Sequence, residues 1–288
     1  MVESWRVVLV STMPPVVLPL DRGLRAAGHQ PVAVITHGRE GSAGNVSLME
    51  ELAPDLDVLV PSTKERLAPL LRACEPDLLL CAFFPWLIPA DALAVPRIGA
   101  VNFHPSLLPR YRGPNPIGWT FRNDDPEYGL TLHRMDETFD TGGILAQARV
   151  PVEDDDHFSN IGRKFEPYAA GLLTLALERL AAGDRGDPQS KEGASEAPRM
   201  EDEWAEINWS RPAREVHNQV RSWVIASPSG LKGALTELDG ERVRVARTSL
   251  HPPAEGQAEP GTIVGREDDR LLVQCGDRPI WVLETEQP

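Results

Sequence analysis

The chain contains little cysteine, no long apolar run and few basic residues for its size. Its 3 cysteines, Cys74, Cys81 and Cys275, are scattered among 288 residues and match neither a disulfide framework nor a metal site. No apolar run approaches the ~20 residues of a membrane-spanning helix. No basic region precedes the first apolar stretch, as it would in a secretory signal. We therefore expect a cytoplasmic protein that has no membrane partner and needs no metal.

The net charge of the chain limits the kinds of molecule that we expect it to bind. The sequence has 43 acidic and 29 basic residues, a net charge of -14. Such a field disfavours polyanionic partners, including nucleic acid, unless a local basic patch overcomes it. A glycine-rich dinucleotide fingerprint is also missing, because Ser11 to Pro15 occupy its place after the first predicted strand. A nicotinamide site is therefore not expected.

Short apolar runs alternate with amphipathic stretches along the first half of the chain. The runs predict strands at 5–10, 31–36, 57–60, 77–83 and 98–103, and the stretches between them predict helices at 18–27, 46–52 and 63–74. This alternation predicts an α/β domain with a Rossmann-like, mostly parallel sheet. A further strand at 128–135 and a long helix at 159–180 complete a catalytic domain over 1–183. The polar, Gly- and Pro-rich stretch 184–200 is predicted to be a linker.

Three polar residues around the fifth strand point to chemistry. Asn102 and His104 lie two positions apart at the end of this strand and so share one face. Pro105 ends the strand, which places both side chains at the carboxyl edge of the sheet, where such folds bind ligands. Asp140, in the loop sequence DTGG, follows the next strand. An aspartate that reaches a histidine orients the ring and favours its charged form.

These residues sit in NFHPSLLPRYRGP, GLTLHRMD and DTGG, which resemble the motifs of the formyltransferases that use 10-formyltetrahydrofolate. The resemblance implies that Asn102, His104 and Asp140 are the catalytic set. It also implies a folate pocket between the loop after the fourth strand and the segment that ends at Asp140. We expect the following residues to contact the folate: Phe84, Trp86, Leu87, Ile88, Met135, Asp136 and Glu137.

Three further residues are candidates for substrate binding. Arg110 and Arg112 lie in a proline-stiffened loop close to the proposed site. Their guanidinium groups suit a carboxylate or phosphate, but exposed arginines also form weak pairs with surface carboxylates. His133 is either a core histidine or part of the acceptor side, since small-acceptor members of the family have a similar histidine.

Residues 201–288 predict a separate small domain. A helix at 213–224 is followed by five short strand signals, which favour a small β-barrel. The sequence INWSRPA, the later HNQVR and the PGTIV motif resemble the OB-like C-terminal domain of methionyl-tRNA formyltransferases.

The formyl acceptor is less well indicated than the reaction. The C-terminal resemblance favours initiator methionyl-tRNA. Similar tRNA-binding enzymes carry a long basic loop after the second strand, but the matching segment 37–49 is short and holds one arginine. Residues 201–288 hold 10 basic against 16 acidic residues, a net charge of -6. Arg242, Arg244 and Arg247 are the best candidates for a basic stripe. On this balance a small-molecule amine, such as an amino sugar, is favoured, with methionyl-tRNA as the alternative. Hydrolysis of the formyl folate is a lesser alternative.

Overall fold

The computed structural model describes residues 3–37, 55–226, 233–251 and 256–287. They divide into two compact units. The first contains residues up to 112, 129–150 and 162–196, and the second contains 113–128, 151–161 and 197–288. The predicted helix at 46–52 lies outside the described residues. Among the residues that are described, no helix combines the length and apolar character needed to cross a membrane.

A seven-stranded sheet, predicted as mostly parallel, organises the first part of the chain. Its strands are β1 (Arg6–Val10), β2 (Gln30–Ile35), β3 (Asp57–Leu59), β4 (Leu78–Ala82), β5 (Gly99–His104), β6 (Glu127–Arg134) and β7 (Ile144–Pro151). They pair in the order β3-β2-β1-β4-β5-β6-β7. The strands β1 to β5 run parallel, and β6 is antiparallel to β5. The chain reverses its direction of travel across the sheet at β1 and β4, and ligands bind at such switch points in open α/β sheets.

The described helices include counterparts of those predicted at 18–27, 63–74, 159–180 and 213–224, together with two short helices that the sequence did not predict. The described helices are α1 (Pro14–Ala26), α2 (Leu67–Cys74), α3 (Ala90–Leu93), α4 (Pro116–Arg122), α5 (Phe158–Ala181) and α6 (Ala213–Ala226). The structure begins α1 at Pro14, where the sequence predicts a turn. Proline is tolerated in the first helical turn because its missing N–H has no intrahelical partner there. In the first unit, a core that includes Val8, Ile35 and Leu79 covers one side of the sheet.

The second unit contains a five-stranded antiparallel sheet in the part of the chain where the sequence predicts a small β-barrel. Its strands are β8 (Ala234–Leu238), β9 (Glu241–Ser249), β10 (Ile263–Glu267), β11 (Arg270–Gln274) and β12 (Pro279–Glu286). They pair in the order β10-β11-β12-β9-β8. Helix α6 supplies Val216, Val220 and Trp223 to the core of this unit.

The units divide the chain differently from the predicted domain boundaries, which stay a prediction. Residues 113–128, predicted to belong to the catalytic domain, pack in the second unit, where the Arg221 guanidinium of α6 lies 4.3 Å from the ring centre of Phe121 in α4. Asn218 of the same helix donates a 2.8 Å hydrogen bond to Asp124. Residues 184–196, predicted to be part of a linker, belong to the first unit.

Candidate active site

Three polar side chains meet at the carboxyl end of β5. Asn102 and His104 project from the last residues of this strand. Asp140 comes from the loop between β6 and β7. Its Oδ2 lies 3.5 Å from His104 Nδ1, and its Oδ1 lies 3.2 Å from Asn102 Nδ2. The structure therefore brings the residues of the N-x-H and D-T-G motifs into one cluster.

A second histidine completes the cluster. His133 pairs with Asn102 across β5 and β6, and its Nε2 lies 3.3 Å from Asn102 Nδ2 and 3.4 Å from Asp140 Oδ1. Its side chain is buried. The sequence left a core role and an acceptor role open for this residue. Its buried position among the candidate catalytic groups makes it a neighbour of Asp140.

The backbone fixes which nitrogen of each ring carries a proton. His104 Nε2 lies 2.8 Å from the Tyr111 carbonyl oxygen, and His133 Nδ1 lies 2.8 Å from the Arg134 carbonyl oxygen. A carbonyl oxygen only accepts, so both of these nitrogens must donate. The remaining nitrogens, His104 Nδ1 and His133 Nε2, face Asp140. When the rings are neutral, each presents a lone pair to the site.

Burial controls the charge of His104. The ring is 4% exposed, and burial lowers its pKa below the ordinary value. The Asp140 carboxylate pushes this pKa up, as the sequence predicted, but His133 pushes it down and burial outweighs the aspartate. His104 is therefore neutral at pH 7, with an Nδ1 lone pair that can accept a proton.

The main chain around the cluster adopts unusual conformations. Asp140, Tyr111 and Phe83 all have left-handed φ values, 56°, 59° and 51°, which non-glycine residues rarely adopt outside sites that hold them in place. Close approach explains a glycine of the DTGG motif: a Cβ on Gly142 would lie 1.9 Å from the Arg134 carbonyl oxygen. Only glycine allows this loop to cross β6 so closely.

The loop before Asp140 is shaped by an internal carboxylate. Asp136 accepts hydrogen bonds from the Thr138 amide at 3.0 Å and from Thr141 Oγ1 at 2.7 Å. Burial raises the pKa of Asp136, but the bonds from Thr141 and Thr138 outweigh it and lower the pKa overall. Glu137 is exposed, and Met135 packs half-buried against the core. Asp136 therefore holds the loop, and its predicted folate contact stays a prediction.

Aromatic rings cluster on the loop after β4, together with one ring that the sequence did not indicate, and their folate contact stays a prediction. Phe84 and Trp86 follow β4, with ring centres 5.4 Å apart, and His37 stacks on Trp86 at 5.2 Å. The prediction missed His37, although its place directly after the second predicted strand marks the same edge of the sheet. Leu87 is half-buried, whereas Ile88 is 2% exposed and belongs to the core. The side chain of Ile88 thus has little surface to offer a ligand.

The two candidate arginines have partners within the first unit. Arg110 Nη2 donates to Tyr111 Oη at 2.9 Å, and its guanidinium lies 4.7 Å from the centre of that ring. Arg112 donates to Gln189 Oε1 from Nε at 3.0 Å and from Nη2 at 2.6 Å. Neither of these contacts is the surface ion pair that the sequence left open.

The profile of the Formyl transferase family matches residues 3–177, and that of the Formyl transferase C-terminal domain matches residues 199–288. The chain belongs to the formyltransferase family. Methionyl-tRNA formyltransferase of Pelobacter propionicus is 31% identical over 292 residues, 98% of this chain and 89% of that protein. The predictions of family and enzyme class are confirmed, and the folate co-substrate is the one that the family uses.

Two solved structures show how far the fold extends. HypX from Aquifex aeolicus in complex with tetrahydrofolic acid has a TM-score of 0.75 at 20% identity and covers 99% of this chain and 44% of its own. WlaRD, a sugar 3N-formyltransferase crystallised with dTDP and 5-N-formyl-THF, has a TM-score of 0.69 at 16% identity and covers 99% of both chains. At these identities the likeness establishes the predicted fold class, and the acceptor is a separate question.

Two residues next to the candidate site of this formyltransferase escaped sequence reasoning. Gln189 Nε2 donates to the Asp140 carbonyl oxygen at 2.8 Å, and Ser195 Oγ accepts from the Tyr111 amide at 3.0 Å. Both lie in the polar stretch predicted to be a linker. Nothing in the local pattern distinguishes them, because their partners are far away in the sequence.

Proposed function

We propose that this formyltransferase transfers the formyl group of 10-formyltetrahydrofolate to the amino group of methionyl-tRNA. The observation that carries the proposal is the match over both parts of the chain to proteins of that name, at 31% identity over 98% of this chain. The sequence alone favoured a small amine and held methionyl-tRNA as the alternative. The full-length relatives reverse that preference.

The candidate cluster can move a proton from the acceptor amine to the departing folate nitrogen. The acceptor nitrogen attacks the formyl carbon and must lose a proton, and His104 Nδ1 is the lone pair available to take it. Asp140, 3.5 Å away, stabilises the imidazolium that forms. Asn102 donates an amide N–H to the developing oxyanion, which requires one of its N–H groups to leave His133 Nε2. The buried histidine then returns the proton to the departing folate nitrogen.

The aromatic loop suits the flat co-substrate. Phe84 and Trp86 are half-buried rings beside β5, and such surfaces stack on planar heterocycles. These two residues, with Met135 and Leu87, would hold the folate. When bound, the folate supplies the activated formyl carbon, and every acid–base group named above comes from the protein.

A small amine remains the second candidate because of the charges in the second unit. Of the three arginines on β9, Arg242 pairs with Glu206 and Arg247 lies 3.6 Å from Glu284. Arg244 Nη1 donates to the Gln287 carbonyl oxygen at 3.1 Å. Arginines that are already compensated add little attraction for phosphates. Together with the net charge of -14, this weakens the case for a nucleic-acid acceptor.

The deciding experiment follows loss of the formyl donor with purified enzyme. One arm offers charged initiator methionyl-tRNA at low and moderate salt, and the other offers amino sugars, diamino acids and N-hydroxylated amines. His104→Ala serves as the blank for both arms. The proposal expects rapid formylation of the tRNA that weakens as salt rises.

Three other outcomes would each contradict the proposal in a different way. Turnover on a small amine with none on tRNA would establish the second candidate. Release of formate without any amine would indicate a hydrolase. Wild-type-like turnover by His104→Ala would remove the proposed chemistry altogether.

A further inference from the structure

The polar stretch from Asp184 to Glu196, here called the return segment, is built into the first unit. Asp187 exchanges two backbone hydrogen bonds of 2.8 Å with Ile144 at the start of β7. Farther along, the Arg112 amide donates to the Ser195 carbonyl oxygen at 2.9 Å. The return segment is therefore anchored both beside the loop that carries Asp140 and beside the loop that carries Tyr111.

The side chain of Gln189 links these two loops. Its Nε2 donates to the carbonyl oxygens of Asp140 and Gly142, each at 2.8 Å. Its Oε1 accepts the two N–H groups of Arg112. Carbonyls at one end and a guanidinium at the other fix the amide orientation, and all of its hydrogen-bonding positions are used.

The contact with Gln189 acts on Asp140, whose carboxylate must point toward His104 Nδ1. Asp140 has a left-handed φ of 56°, a conformation that persists only when the surroundings hold it. Gln189 holds the carbonyl of this same residue. Rotation of that peptide would swing the Asp140 carboxylate away from His104 Nδ1.

Ser195 acts in the same way on the opposite side of the imidazole. Its Oγ accepts the Tyr111 N–H at 3.0 Å, and Tyr111 also has a left-handed φ, 59°. The Tyr111 carbonyl in turn accepts from His104 Nε2 at 2.8 Å. One segment thus holds the main-chain residue on each side of the His104 ring.

We propose that Gln189 and Ser195 are positioning residues, through which the return segment sets the separation between His104 and Asp140. The inference rests on the proposed function, because it assigns a purpose to the distance between two candidate catalytic groups. Both residues contact main-chain groups of the loops that carry Asp140 and Tyr111. Their effect passes through the carbonyl groups of Asp140 and Tyr111.

The test compares matched variants of the full chain. Gln189→Met keeps the length of the side chain and removes its hydrogen bonds. Gln189→Glu keeps the acceptor for Arg112 and removes the donors to Asp140 and Gly142. Lys191→Ala, an exposed position in the same segment, is the control.

We expect both Gln189 variants to lose about 10- to 100-fold in kcat, with the KM for 10-formyltetrahydrofolate and the melting temperature close to wild type. Lys191→Ala should match wild type in all three. Activity retained by Gln189→Glu but lost by Gln189→Met would overturn the assignment, because the contact with Arg112 alone would then account for the effect. Wild-type kcat in both variants would overturn it as well.

A second measurement does not depend on the acceptor. The ¹⁵N chemical shifts of the His104 ring, read by NMR, should change in Gln189→Met and in Ser195→Ala but not in Lys191→Ala. Unchanged shifts in both variants would overturn the positioning role. A wild-type enzyme that formylates nothing would refute the proposed function, and the ring shifts would still decide whether the return segment positions His104. Ser195→Ala also serves if Gln189→Met is poorly folded.

Discussion

Each unit contains an aspartate surrounded by histidines, and the two differ in what balances the carboxylate. Asp140 of the first unit faces His104 and His133 at 3.5 and 3.4 Å. Asp154 of the second unit pairs with the Arg214 guanidinium through both carboxylate oxygens and lies 3.0 Å from His251. The first carboxylate thus faces two titratable rings and the Asn102 amide, whereas the second is paired directly with a guanidinium.

This difference separates a reactive arrangement from a structural one. The hydrogen bonds from Arg214 hold the pKa of Asp154 far below its usual range, so this carboxylate stays charged and compensated. Next to it, His217 donates or accepts at both ring nitrogens, 2.8 Å from Thr248 Oγ1 and 2.9 Å from the Asp154 carbonyl oxygen. Asp140 instead faces the lone pair on His104 Nδ1, which can take up a proton. Proximity of Asp and His is thus not diagnostic by itself, and it is the direct ion pair with Arg214 that marks Asp154 as structural.

The largest expected effects on kcat come from removing the His104 imidazole and from neutralising Asp140. His104→Ala should lower kcat by about 10³-fold or more, and Asp140→Asn should lower it by about 10²-fold, because the proton acceptor or its stabilising charge is lost. Steady-state kinetics with the identified acceptor measures this loss.

Asp154→Asn is the matched control, because it makes the same chemical change in the second unit. We expect its kcat to stay within about twofold of wild type, since no group at Asp154 lies in the candidate cluster. A loss of kcat as large as that of Asp140→Asn would mean that the two sites differ less than their contacts indicate.

The next effect is on stability. Asp154→Asn should lower the free energy of unfolding by about 1–2 kcal/mol, because it leaves the Arg214 guanidinium without its carboxylate. This value is discounted for solvent screening, since the side chains of Arg214 and Asp154 are 39% and 33% exposed. Urea titration measures it. Asp140→Asn should be close to neutral in the same assay, and the reverse ranking would contradict the comparison.

The elements that the sequence predicted well are those with local signals. Inspection of the sequence finds the apolar runs of β1, β4 and β5, and it finds the proline that ends β5 just after Asn102 and His104. Both signals are local, because periodicity and proline act over a few residues. The charge state of His104 could not be found this way, since it depends on how completely the fold buries the ring. Gln189 and Ser195 were equally hidden, because their partners lie about 50 and 80 residues earlier and an irregular segment has no period to reveal a face.

Part of the pH dependence of stability should come from His217 of the second unit. Burial, and secondarily Arg221, lower the pKa of His217 to about 3. An unfolded histidine titrates near ~6.5, so between these values the unfolded chain binds a proton that the folded chain excludes. Stability contributed by neutral His217 is therefore complete above the unfolded pKa and falls with decreasing pH, by up to about 1.4 kcal/mol per pH unit.

His217→Gln isolates this contribution. Urea titrations at pH 7.5 and 5.5 should show a smaller loss of stability at low pH in the variant than in wild type, by roughly 1 kcal/mol. His104 is the internal comparison, since its pKa is also lowered by burial and it adds to the slope in both proteins. An identical pH dependence in wild type and variant would show that His217 is already protonated or already exposed.

The smallest expected effect is on the pH dependence of kcat/KM, which reports the charge state of His104 in the first unit. Because burial lowers the pKa of His104, the base should stay neutral below the pH at which an ordinary histidine titrates. A group with the reference pKa of ~6.5 would retain only about a quarter of its neutral form at pH 6. We therefore expect kcat/KM to fall by less than about fourfold between pH 7.5 and 6. The measurement uses an acceptor whose own amine pKa is known. Asp140→Asn should move the acid limb to still lower pH, since the carboxylate raises the His104 pKa. A shift to higher pH would mean that Asp140 does not act on this ring, and the first unit would then resemble the second more closely than the distances indicate.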